Sequence, residues 1–199
     1  EMRYIEEVRR EHGLPTVAVA QAWLDHDDAP SILERQAAFP FVRSVRHKPR
    51  ANPSPNDAAP GGTTDSRWQA GFAEVARAGL RFDLQTPWWH LAEAARLADA
   101  FPDARIILNH TGLPSDRSAE GLQGWRRAMA TLARCGNVTV KISGLGQPGQ
   151  PWTVAANAGI VRTTIDLFGV ERCMFASNFP VDSLCATFAT VYGGFREIV

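Results

Sequence analysis

Val138-Thr139-Val140-Lys141-Ile142-Ser143 alternates apolar and polar side chains without a break, and Leu80-Arg81-Phe82-Asp83-Leu84-Gln85 repeats the pattern. A period of two sets Val138, Val140 and Ile142 on one face of a strand and Thr139, Lys141 and Ser143 on the other. Strands of an open sheet covered by helices on both faces read as almost wholly apolar. A closed barrel instead keeps a lumen that can hold polar side chains at its active end. The alternation therefore favours an α/β barrel over a doubly wound sheet.

Working outward, four more short apolar runs read as strands, Thr16–Gln21, Phe41–His47, Arg105–His110 and Arg172–Ser177, making six in all. Amphipathic helical patterns separate them, as a parallel sheet wound with helices requires. Asp65 or Ser66 can cap a helix that Gly79 ends, and Thr86-Pro87 opens another that Phe101-Pro102 stops. Further helices are predicted from about Ser118 to Gly136, Val154 to Phe168 and Ser183 to Ile198, with earlier ones at Glu1–His12 and Ser31–Phe39. The proline-rich stretch His47–Ser66 follows a strand end, where a long connection is either a lid or binding loop or a disordered insertion. One domain spanning 1–199 is expected from the length.

Twenty-one basic residues balance 21 acidic ones, which argues against an electrostatic grip on nucleic acid or an anionic membrane and leaves a small molecule as the expected partner. Cys135, Cys173 and Cys185 are odd in number and widely spaced, a pattern suited to a reducing cytoplasm, and no apolar run is long enough to span a bilayer. The chain opens on Glu1 in a charged helical pattern, so residues upstream are expected.

A parallel barrel places its chemistry at the last residues of several strands. Those positions hold Gln21, Arg46 with His47, Gln85, Asn109 with His110, Lys141 with Ser143, and Ser177 with Asn178. His110 emerges from a buried run into Thr-Gly and could be a metal ligand, a general base, a carbonyl polariser or a hydrogen-bonded structural residue. Arg46 would suit a carboxylate or a developing oxyanion, or a surface ion pair. Lys141, flanked by apolar residues, calls for a carboxylate partner, and Asp83 is the candidate. Gly144-x-Gly146-x-x-Gly149 matches a dinucleotide-binding pattern, but Pro148 and Pro151 postpone the helix such a motif needs. Asp25-His26-Asp27-Asp28 reads as solvated charge ahead of a helix more readily than as a metal site.

Ile106-Ile-Leu-Asn-His-Thr-Gly-Leu-Pro114, Val140-Lys-Ile-Ser-Gly-Leu145 and Arg172-Cys-Met-Phe-Ala-Ser-Asn-Phe-Pro-Val-Asp182, with Phe82-Asp-Leu-Gln85 and Val45-Arg46, resemble the strand-end motifs of the amidohydrolase-related family. This is the branch of fuconolactonase-like and pyrone-dicarboxylate lactonase-like enzymes. The resemblance covers essentially the whole chain and implies a TIM-type (β/α)₈ barrel, here incomplete, with the first two of eight strands missing. It implies a hydrolase acting on a lactone or related cyclic ester. His110, Asn178 and Asp182 would be catalytic, and Arg46, His47, Gln85, Lys141 and Ser143 would bind substrate. One divalent metal, zinc, with His110 as a ligand, is admitted for the full-length protein. Two departures stand out: the family's His-x-His pair is absent, and Asn178 occupies a position where many relatives carry aspartate. An amide cannot take a proton at neutral pH. Asp182 would then serve instead, or cap a helix. The alternatives are a non-oxidative decarboxylase of the same family and an inert fragment or binding protein. Unpaired sheet edges would favour a homo-oligomer.

Overall fold

The computed structural model describes residues 1–199. Six strands, β1 (Ala18–Gln21), β2 (Val42–Arg46), β3 (Arg81–Leu84), β4 (Ile106–Leu108), β5 (Val138–Ile142) and β6 (Cys173–Phe175), lie side by side in chain order. Every neighbouring pair is parallel. Seven helices accompany them: α1 (Met2–His12), α2 (Ala29–Ala37), α3 (Ser66–Arg77), α4 (Leu91–Ala100), α5 (Ala119–Leu132), α6 (Val154–Phe168) and α7 (Phe188–Ile198). Consecutive helices pack on one another, α2 on α3, α4 on α5, α5 on α6 and α6 on α7, as in the outer ring of a barrel.

Register carries the period of two across the sheet. Phe82 pairs with Val45 and Ile106, and Ile106 with Val138, so one face is a continuous apolar wall against the helices. Trp68 and Phe72 of α3 stack there and meet the Phe82 ring edge-on at 5.4 and 5.3 Å. The opposite face carries Arg46, Asp83, Thr139 and Lys141. With one face oily and one polar, the sheet is the wall of a (β/α) barrel, six units of it, as the alternation predicts.

Caps explain several boundaries and correct others. Asp65 accepts from the amides of Arg67 and Trp68 and opens α3 as expected. Ser118 and Thr153 do the same for α5 and α6. The helix expected from Ser183 begins only at Phe188, because Thr187 accepts from the amide of Thr190 and is its cap. Val181–Leu184 forms a separate 3₁₀ turn, so Asp182 is not a helix cap. Similarly, a 3₁₀ turn at Trp88–His90 intervenes between Thr86-Pro87 and α4. The strand expected to reach His110 stops at Leu108.

Candidate active site

His110 lies just past β4 with φ of 55°, followed by Thr111 at 55°, Gly112 at 69° and Leu113 at 56°. Three of these four carry side chains in a region where only glycine is comfortable, and backbone strain of this kind collects at functional sites. The surroundings hold the turn in place. Thr111 is fully buried, its hydroxyl donates to the Ser143 carbonyl and its own carbonyl accepts from the Trp125 indole at 2.8 Å. The imidazole Nδ1 lies 3.0 Å from the Ser143 hydroxyl, leaving Nε2 without a protein partner.

Burial and the nearby charges of Arg46 and Lys141 push His110 down to about pKa 4, against the opposing pull of Asp83; Lys48 adds a further lowering contribution. At neutral pH it is an uncharged imidazole with a free nitrogen in a positive field. Such a group is free to accept a hydrogen bond, and takes a proton when negative charge developing beside it offsets that field. Lys141 is paired with Asp83, whose carboxylate is fully buried and also accepts from the Ser44 hydroxyl. That pairing is the one anticipated from the sequence.

Two glycines seat the catalytic candidates. A Cβ on Gly144, whose φ is 62°, would stand 2.8 Å from the His110 Cβ, and one on Gly146 would lie 3.2 Å from the Asp182 carboxylate. The segment after β5 that resembles a dinucleotide fingerprint is therefore the floor on which His110 and Asp182 rest. Asn178, at φ 57°, donates its amide to Asp182 Oδ1 at 2.8 Å. Burial raises the Asp182 pKa, while hydrogen bonds from Asn178 and the Gly146 amide pull it back.

Arg46, Asp83, His110, Lys141 and Ser143 are thus gathered at the C-terminal ends of β2 to β5, and Asn178 with Asp182 just past β6. Gln85 follows β3, half-buried and without a side-chain hydrogen bond. His47 is not among them. Register turns it to the side opposite Arg46, where its ring packs on Trp23 and Trp68 and its Nδ1 accepts from the Leu24 amide. Asn109, placed at the strand end from the sequence but given no role there, is 1% exposed with neither amide atom partnered, beside His110. Buried amides without partners call for a substrate or water to satisfy them. A feature missed from sequence is the tether of the long loop: Gly61 N donates to both Glu93 oxygens and Asn52 N to His90 Nε2.

No three His, Cys, Asp or Glu side chains converge anywhere in these 199 residues. A zinc site needs three or four such ligands, and the positive field at His110 opposes a divalent cation. The residues present do not by themselves make a metal centre.

Fold and rim together define the wall of a (β/α)₈ barrel whose polar groups collect at one end of its strands. The amidohydrolase profile matches residues 1–198, and the chain belongs to that family. It is 38% identical over 203 residues to the uncharacterized protein y4mH of Sinorhizobium fredii, spanning all of this chain and 67% of that one. It is 28% identical over 181 residues to an L-fucono-1,5-lactonase of Burkholderia ambifaria, covering 86% of this chain and 58% of the lactonase. A zinc-bound amidohydrolase structure from Burkholderia multivorans superposes with a TM-score of 0.80 at 21% identity, over 99% of this chain and 70% of that one. No helix is long and apolar enough to cross a membrane.

Proposed function

We propose that the protein hydrolyses a lactone or related cyclic ester at the rim formed by His110, Arg46 and the Asn178–Asp182 pair. The observation that carries this reading is the neutral, half-satisfied imidazole of His110 facing a field of fixed positive charge. Hydrolysis needs a base to take a proton from water and a cation or donor for the oxyanion that forms as the carbonyl is attacked. His110 Nε2 supplies the first, with Ser143 holding the ring through Nδ1. Arg46 supplies the second, or grips an acidic substituent of the substrate. Asn178, locked to Asp182, orients water rather than deprotonating it. Lys141 contributes charge through its pair with Asp83.

The lactonase relative directs the first assay to sugar lactones, with L-fucono-1,5-lactone as the probe. Hydrolysis is followed by the acid released, and His110→Ala is expected to lower kcat/KM by about 10²–10⁴-fold. Unchanged turnover in that variant would remove His110 from the reaction. Release of carbon dioxide from an aromatic acid, with no lactone opening, would select the decarboxylase reading instead.

A further inference from the structure

Outside the rim, a cleft of about 510 Å³ runs between α5 and α6 on the helical exterior. Its walls are the N-terminal halves of both helices, and it is lined by Arg117 and Arg126 together with Leu122, Trp125, Ala156 and Ile160. No acidic side chain lines it. Arg117 donates from Nη2 to the Leu145 carbonyl at 3.1 Å and to Asn157 at 3.4 Å, while its Nε and Nη1 are buried with no partner. It takes part in no ion pair, and burial lowers its pKa. Its Nε and Nη1 are closed off from the cleft, so what is left open there is the charge: a half-buried guanidinium with no carboxylate partner, which an anion in the cleft would offset. The positive ends of two helix dipoles lie at the same cleft.

We propose that this cleft binds a small carboxylate with an apolar body, its charge on Arg117 and Arg126 and its hydrocarbon against Leu122, Trp125 and Ile160. Pockets of this size and mixed lining suit small organic ligands. Its walls reach the rim through two hydrogen bonds. Trp125 donates to the carbonyl of Thr111, the residue after His110, and Arg117 holds Leu145, next to the glycine that seats His110. Occupancy of the cleft therefore acts on the turn that presents His110, which makes it a regulatory site.

Benzoate is the test probe, titrated by calorimetry into the 199-residue chain, with inorganic phosphate testing charge alone and benzyl alcohol testing the body alone. Saturable one-site binding of benzoate is expected with a dissociation constant on the order of 1 mM, the range open to so small a ligand. Arg117→Met should weaken it at least about tenfold, as loss of a charge-assisted pair does. Gly159→Leu should weaken it as much by filling the cleft, since a Cβ there meets nothing within 4 Å and the helix can accept it. Tighter binding of phosphate than of benzoate, or benzoate binding equally well to either variant, overturns the proposal. So does the absence of benzoate binding to the unmodified chain.

Discussion

At His110 the decisive quantity is the charge around it. Burial comes first among the causes of its low pKa, then Arg46, then Lys141. Arg46→Met removes a cation from that field, so the His110 pKa should move up from about 4 toward its ordinary 6.5. The acid limb of kcat/KM should follow it upward; a limb that stays in place would show that Arg46 does not act on the imidazole. The same shift bears on stability. Below about pH 6.5 the unfolded chain binds a proton that the folded imidazole refuses until about pH 4. Stability therefore declines across that interval, by at most about 3 kcal/mol, and His110→Gln should flatten this part of the profile in thermal melts. Asp83 poses the opposite problem, a carboxylate with no exposure that depends on Lys141 and Ser44. Lys141→Met should cost about 3–5 kcal/mol in urea unfolding, and adding Asp83→Asn should restore much of it. If the double variant is as unstable as the single, the pair is not the reason Lys141 matters.

Among the elements, the connection from β2 to α3 is set by side chains far away in sequence. Glu93 accepts from Gly61 N, 32 positions earlier, contacts His90 Nδ1 at 3.3 Å and lies 3.4 Å from the Thr63 hydroxyl. The Trp89 indole donates to Asn52. Glu93→Ala leaves these groups unsatisfied, at a local cost of about 1–3 kcal/mol, while α4 itself keeps its apolar face. The loop should then open more often, and trypsin should cut after the exposed Arg50 roughly tenfold faster, with global unfolding little changed. Equal cleavage rates would mean the tether does not hold the loop. Proline content announced an irregular segment here but not its folding, because partners so distant leave no local pattern. The strands, by contrast, were legible locally, β3 and β5 from alternation and the other four from short apolar runs between helical patterns, and a period of two in β2 could have told that His47, one residue past Arg46, must face the helices. The left-handed backbone at Thr111 and Leu113 was not legible, since such residues rarely adopt positive φ, and at His110 and Asn178 the enrichment of His and Asn in that region is too weak a signal to place it. Gly144 and Gly146 were visible as glycines, yet their use as seats depends on contacts between different loops.

Across the whole molecule the sheet has two outer strands, each paired on one side only, β1 with β2 and β6 with β5. Val19 on the polar face of β1 and Met174 on that of β6 are 37% and 39% exposed. Phe179, Val181, Leu184 and Phe188 are exposed just beyond β6. Parallel barrels bury such groups by closure, and an open edge presents unpaired backbone N–H and C=O to any other strand. With a net charge of zero, little repulsion keeps copies apart. The 199-residue chain should therefore self-associate in sedimentation runs at concentrations on the order of 10 μM, and association should weaken when a charge is placed on the edge. Val19→Lys is the informative variant. Its side chain projects from the polar face, so the added ammonium stays solvated while opposing strand addition at β1. A chain that remains monomeric without the lysine, or that associates equally with it, would show that these edges are not where copies meet.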